Sequence, residues 1–453
     1  MPTGRSNPFE AFRALHTDIE QLEFLLADIN GVLRGKRLPI KDLDKLHAGE
    51  LLLPRATVLL DTLGEASPRT PFGYQDGDPD RAVLPLEATL SPMTWADSPT
   101  AQILTVMSDE PGKPWFANPR TVLERCLEPF AALSLTPVAA IELEFHLLDT
   151  SAGSPAPVRR GSSLPAFAGP QTYNPEMLDD FEPLFSDIDR ACAAIGVPTG
   201  SVLSEFGTGQ FEINLAHHED LLRVCDEAVL LKRVVRQCAL KHGYLPSFMA
   251  KPLEGDSGNG LHVHLSLLDR QGNNRFASNE DGSLSSMLEQ VLVGLIRLLP
   301  ESVALLAPNA NSYRRFEPDS FAPRVADWGH DHRAVAIRIP RAKANAARLE
   351  HRAAGADANP YLALATVLAG VLHGLERSGT LLEPSTGTTP NPEASPLPDR
   401  WSTALQAFAD STVLPHYLGD EFCSLYRTVK EDEEAARHRR AIHLDHDDYL
   451  RLL

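Results

Sequence analysis

The sequence predicts an α+β fold in two units, residues 1–112 and residues 113–453. Three observations lead there. Short strand-like runs separated by turn residues fill the first 112 residues, with an Asn30-Gly31 hairpin signal among them. Longer stretches at helical spacing follow and are interleaved with strands. Four of those later strands alternate apolar residues with polar ones rich in Glu, His and Arg, so each has one polar and one apolar face.

In chain order, Phe9, Phe12, Leu15 and Ile19 recur at helical spacing. Leu22–Ile29 reads as a strand, Asn30-Gly31 turns the chain and Val32–Leu38 returns. Further strands are expected at Val58–Asp61, Ala82–Leu90 and Gln102–Val106, and Glu65–Asp80 has loop composition. Pro119–Leu133 reads as an amphipathic helix and Val138–Leu148 as an acidic strand. Asp149–Thr172 is rich in Ser, Pro, Ala and Gly, as a loop or insertion would be. Helices are expected at Met177–Ile195, Asp220–Gly243 and Ser283–Leu299, the last with Ser283 as N-cap. Strand-like text occupies Ser204–Leu215, Gly258–Leu267, Arg333–Pro340 and Arg348–Arg352. Gly355–Tyr361 opens a helix running to about Glu376, Ser378–Asp399 is loop-like, and the charged helical tail Trp401–Leu453 is expected at the periphery.

Length and charge narrow the function. A chain of 453 residues can bury a large core. A net charge of −19 argues against a nucleic-acid or anionic-membrane surface. No apolar stretch is long enough to span a bilayer. The N-terminus lacks a signal pattern, and the five scattered cysteines lack Cys-x-x-Cys spacing, so a reducing, cytoplasmic location is expected.

The polar faces carry the chemistry. Glu142 and Glu144 share one face of Ile141–Phe145, and Glu212 and Asn214 share one face of Phe211–Leu215. His262, His264 and Ser266 alternate with Leu261, Val263, Leu265 and Leu267, while Arg348, Glu350 and Arg352 share a face. Crowded carboxylates repel unless a cation lies among them. Carboxylate oxygens with an imidazole and no thiolate suit Mg²⁺ or Mn²⁺ rather than structural zinc. Arginine forks beside them match phosphate or carboxylate groups. Taken singly, each strand is also an ordinary half-exposed strand, and Arg338 is also an ordinary salt-bridge residue. Gly255, Gly258 and Gly260 in the loop before the histidine strand allow close backbone approach to a ligand.

The motifs I-E-L-E-F, S-E-F-G-T-G-Q-F-E, G-N-G-L-H-V-H, N-S-Y-R-R, R-A-V-A-I-R-I-P and R-L-E-H-R…D-A-N-P-Y-L fall in one order along the chain. In that order the sequence resembles the glutamine synthetase superfamily, and A-D-I-N-G-V-L-R-G-K resembles its N-terminal β-grasp domain. The resemblance implies a catalytic domain with an antiparallel-sheet funnel. It implies ATP-dependent ligation of L-glutamate to an amine through γ-glutamyl phosphate, with two or three Mg²⁺ (or Mn²⁺). It also implies a homo-oligomer, a hexameric ring or a stacked double ring (dodecamer), with sites between neighbours.

Carried over by motif, Glu144, Glu205 and Glu212 would hold one metal, and Glu142, His262 and Glu350 the other. His264, Ser266, Arg333 and Arg348 would face the nucleotide. Gly258, Arg315 and Arg352 would hold glutamate. Arg333 and Arg338 would neutralise the transferring phosphate, and Asp61 would reach a neighbouring subunit's site.

Two departures from the family matter. Where the ammonium-using enzymes place a glutamate before Ala-Pro, this chain has Phe321, with Glu317 near it in sequence. An apolar ring there fits an amine with a carbon chain, as in the γ-glutamylpolyamine synthetase branch acting on putrescine or spermidine. The loop Ser378–Asp399 has no tyrosine, so adenylylation of the bacterial biosynthetic kind is not expected. A glutamine synthetase using ammonium, a ligase for a monoamine or ethanolamine, and a non-catalytic relative remain the alternatives.

Overall fold

The computed structural model describes residues 8–151, 153–158, 169–318, 320–387 and 391–440. The N-terminal sheet is mixed. Its path runs Leu33–Pro39, Gln21–Ala27, Thr100–Glu110, Asp80–Pro85, Leu52–Pro54, and only the Gln21–Ala27 and Thr100–Glu110 pair on that path is parallel. The Asn30-Gly31 turn forms as expected, with Gly31 at φ +75° and Ala27 opposite Leu33.

Two expected strands change here. Val58–Asp61 lies largely in a 3₁₀ turn, Arg55–Leu59, because Val58 is buried and the segment finds only an isolated bridge, Leu60 to Ala66. The strand expected to reach Leu90 stops at Pro85, which has no N–H to offer a ladder, and Glu87–Thr89 coils instead.

The second sheet holds the functional strands. Its path runs Thr199–Ser204, Gln210–Leu215, Leu135–Asp149, Leu261–Asp269, Leu349–His351, Ile337–Ile339, Trp328–His330. Neighbours on it are antiparallel except the last pair. The acidic strand Leu135–Asp149 is central. On its inner face Ile141, Leu143 and Phe145 are buried in the core, while Glu142 and Glu144 face the other way. Ser204–Leu215 is two strands joined by a turn, which leaves Glu205 in the turn rather than on a strand. Arg333–Pro340 shrinks to Ile337–Ile339.

Leu221–Lys241 packs on the acidic strand, Pro360–Glu376 packs on that helix, and Ser286–Leu306 packs on Pro360–Glu376. Pro360–Glu376 is buried on every side from Pro360 to Gly374, as a helix apolar all round must be. Ser285, not Ser283, caps Ser286–Leu306: its hydroxyl accepts from the Leu288 N–H at 3.2 Å, whereas Ser283 is bonded to Asp281. The helix expected at Met177–Ile195 is broken into Pro175–Asp179 and Glu182–Ala194.

The tail is not peripheral. Trp401, Phe422, Tyr426 and Lys430 are buried. The Lys430 ammonium donates to Asn30 in the first hairpin at 2.6 Å and to Glu433 at 2.9 Å, joining the last described helix, Asp420–Arg440, to the N-terminal sheet. Residues 441–453 lie outside the described residues. All five cysteines are free and buried, and no described helix is long and apolar enough to cross a membrane.

Candidate active site

Sheet register builds the site. Glu212 lies opposite Glu144, Asn214 and His262 lie opposite Glu142, and Glu350 lies opposite both His264 and Arg338. Period-two alternation turns these side chains to the same face. They line a cavity of about 1100 Å³, together with Glu205, Gly258, Arg315, Glu317, Phe321, Arg333, Arg348 and Arg352. The structure therefore brings together every site residue expected from the sequence except two. The Ser266 hydroxyl donates to the Ala347 carbonyl at 2.8 Å, away from the cavity lining, because that strand has run past the level of Glu142. Asp61 is buried in the N-terminal unit, where its carboxylate accepts from the Leu63 and Glu65 amides at 2.9 and 2.8 Å.

Two groups of ligand atoms converge. Glu142, His262 and Glu350 form one; Glu144, Glu212 and His262 form the other, with all atoms in each group within 4.8 Å of one another. The first is the set expected from the sequence. In the second, His262 completes the group and Glu205 stands outside it, in its turn.

The donor set fits divalent cations that prefer oxygen. Electrostatics agrees. Burial, then the carboxylates of Glu142, Glu144 and Glu205, push Glu212 up to about 9. Burial and Glu144 push Glu205 up to about 7. A pocket that strains its own carboxylates in this way is relieved by a cation.

The remaining carboxylates are held by cationic or imidazole partners. Burial acts against ionised Glu350, but Arg352 and the two site histidines outweigh it and hold its carboxyl down at about 2. Arg338 donates to Glu350 at 2.7 Å and to Asp331 at 2.7 Å, so it is both a salt-bridge residue and a cavity residue. Burial also opposes ionised Glu142, yet hydrogen bonds from His262 and His264 carry it well below the usual carboxylate range. Arg348 donates to His264 Nδ1 at 3.1 Å, which leaves the His264 Nε2–H to donate to Glu142 at 2.7 Å.

Arg315 is buried and donates to the Ala353 and Arg352 carbonyls at 3.0 and 3.1 Å. Burial lowers its guanidinium to about 10. The close approach at Gly258 is to protein as well as to the cavity: a Cβ there would sit 2.6 Å from the Ala250 carbonyl and 2.8 Å from Arg315 Cγ. Glu317 is paired with Lys251 at 2.7 Å.

Aromatic residues also line the cavity: Phe321, expected from the sequence, and Phe206 and Tyr173, which sequence reasoning missed. Phe206 and Phe321 are 41 % and 48 % exposed, with ring centroids 5.0 Å apart. Tyr173, 51 % exposed, lies 6.4 Å from Phe206 and holds a left-handed backbone at φ +59°. Such a backbone in a bulky residue persists only where its surroundings enforce it, and the Tyr173 N–H donates to the Ser204 carbonyl at 3.0 Å. Phe206 follows Glu205 directly in sequence and was the one signal available.

The chain is similar to known proteins. Residues 116–449 match the family described as glutamine synthetase, catalytic domain. The chain is 40 % identical over 421 residues to the γ-glutamylputrescine synthetase PuuA of Escherichia coli K12, covering 92 % of this chain and 89 % of that protein. It is 32 % identical over 423 residues to a glutamate–isopropylamine ligase of a Pseudomonas species, covering 91 % of each. A solved structure of a GmaS/ADP complex superposes with a TM-score of 0.83 at 25 % identity, covering 98 % of this chain and 100 % of that one. With its sheet, its paired carboxylate–histidine groups and these relatives, the chain belongs to the glutamine synthetase family and is an ATP-dependent glutamate–amine ligase.

Proposed function

We propose that this protein joins the γ-carboxylate of L-glutamate to an organic amine of the polyamine class, such as putrescine or spermidine. The reaction runs through γ-glutamyl phosphate and releases ADP and phosphate. The observation that carries the choice of amine is the wall of Phe206, Phe321 and Tyr173 in the cavity that also holds the clustered carboxylates. Exposed rings bury a carbon chain and attract a neighbouring ammonium through their faces, whereas ammonium itself has no chain to bury. The 40 % identity to a γ-glutamylputrescine synthetase supports the same class.

In this reading Glu142, His262 and Glu350 hold one divalent cation, and Glu144 and Glu212, with Glu205 and His262 beside them, hold another. When bound, these cations would neutralise phosphate charge and make the γ-phosphorus a better electrophile. Arg333, Arg338 and Arg348 line the same cavity, and in this reading their guanidinium groups face the nucleotide phosphates and stabilise charge as it develops. Arg352, with the Gly258 loop and Arg315 behind it, orients the glutamate. Glu317 is masked by Lys251, so it accepts the amine's proton only after that pair opens. A homo-oligomeric ring, single or stacked, completes the reading, with the loop that Asp61 braces presented to a neighbouring site.

Phosphate release tests this directly. With ATP, Mg²⁺ and glutamate, putrescine or spermidine should exceed ammonium by roughly tenfold or more in kcat/KM, the scale on which a pocket discriminates substrates. A lead for ammonium would make this a glutamine synthetase. A lead for isopropylamine or ethanolamine would keep the ligase and change the amine.

A further inference from the structure

At the wall of the cavity lies a polar chain, Gln210 in the lining with Asn259 and His146 behind it, that the reaction described so far does not use. His146 and Asn259 are both fully buried, at 0 % exposure. The Asn259 amide orientation is unambiguous: its Nδ2 donates to the carbonyls of Ser247 at 3.2 Å and Met249 at 2.8 Å. Its Oδ1 therefore accepts, from His146 Nδ1 at 2.8 Å and from Gln210 Nε2 at 3.2 Å.

Gln210 is oriented just as firmly. Its Oε1 accepts from the Gly207 N–H at 2.7 Å, so its Nε2 is the donor end, and its two N–H groups are shared among the Gly258 carbonyl at 2.9 Å, Glu144 Oε2 at 3.2 Å and Asn259 Oδ1. The Gly260 N–H donates to the same Glu144 oxygen at 2.6 Å. Glu144 Oε1 is left facing His262 Nε2 at 3.8 Å, within the second group of ligand atoms. His146 Nε2 has no hydrogen-bond partner and is packed against Gly207, where a Cβ would come within 2.7 Å of it.

We infer that His146, Asn259 and Gln210 form a positioning relay that selects which oxygen of Glu144 is presented to a divalent cation. The inference rests on the metal-site reading above. Its logic is that of supporting shells around metals: a carboxylate whose outer oxygen is already hydrogen-bonded offers the inner one in a fixed direction and loses less freedom on binding. Backbone carbonyls and amides set the orientations of Asn259 and Gln210, and Asn259 in turn sets that of His146, so the order propagates from the Ser247–Met249 segment to Glu144. The relay touches the Gly258 loop on the way, coupling metal and glutamate positions. Gln210 is also part of the cavity lining, but all three residues act through Glu144 and are positioning residues, not catalytic ones.

The test is Mn²⁺ binding to the nucleotide-free protein, followed by calorimetry and by the spin-resonance signal of the free ion. Gln210→Met keeps the volume and removes the amide. It should weaken one of the two Mn²⁺ binding steps by roughly tenfold or more, the scale for a lost outer partner, and leave the other within about threefold. His146→Phe should weaken the same step, and His146→Gln, which restores an N–H toward Asn259, should recover part of it. A purely structural role would lower the melting temperature of the metal-free protein without separating the two steps. Equal Mn²⁺ affinities in folded Gln210→Met and the parent protein would overturn the relay alone. No Mn²⁺ binding by the parent protein would overturn the metal-site reading and the relay with it. If His146→Phe fails to fold, the Gln210→Met result decides.

Discussion

Glu212 shows how a single residue's environment encodes its use. It stands across the sheet from Glu144, and in the metal-free site burial and three neighbouring carboxylates push it up to about 9. Glu205 is pushed up to about 7 by burial and Glu144. Because both folded values lie above the ordinary carboxylate value, protonated side chains stabilise the metal-free protein. That contribution is present at low pH and is lost as pH rises through about 7 and then about 9. A divalent cation binds the ionised forms, so Mg²⁺ affinity should rise between pH 6 and pH 9, by about tenfold per pH unit for each proton displaced. Calorimetric titration at several pH values measures this, and a flat profile would mean that these carboxylates are not ligands. The alternation of Glu142, Glu144, Glu212, His262, His264 and Glu350 was legible because period two needs only local sequence. Gln210, Asn259 and His146 were not legible as a unit, since nothing local says that residues 146, 210 and 259 meet.

At the scale of elements, the longest helices and the acidic strand were the easiest to read. Pro119–Leu133 runs between the residues its pattern suggests, with Pro119 at the first turn and Ser134 ending it in a left-handed conformation. Short strands failed where local chemistry competes with pairing. Pro85 ended one and a 3₁₀ turn replaced another. Helix pairing depends on a detail that sequence alone does not expose. Where Ser286–Leu306 crosses Pro360–Glu376, a Cβ on Gly294 would lie 2.3 Å from the Gly370 carbonyl and 2.3 Å from the Gly374 nitrogen. These are backbone atoms with nowhere to move. Gly294→Ala should therefore destabilise the protein by about 3 kcal/mol, the upper range for overpacking, despite alanine's better helix propensity. Thermal melting measures it, and an unchanged or raised melting temperature would contradict the close crossing.

For the whole molecule, the last described helix ties the C-terminal part of the chain to the N-terminal sheet. Lys430 is fully buried between Asn30 and Glu433, and Arg69 pairs with Glu431 and Asp432 on the same helix. The loop that carries Asp61 is therefore braced from the C-terminal end of the chain, with Thr62 bonded to Glu433. This was invisible in a charged tail that reads as surface. The family itself was legible, because its motifs occur in order across the chain and the same polar faces meet in one cavity. The proposed amine class rests in the sequence on one substitution, Phe321 in place of a carboxylate, to which the structure adds the Phe206 and Tyr173 rings. The most direct measurement is a competition. Putrescine and ammonium at equal concentration are offered together with ATP, Mg²⁺ and glutamate, and the products are separated by mass. The aromatic wall predicts γ-glutamylputrescine over glutamine by roughly tenfold or more. Glutamine as the main product would contradict the account.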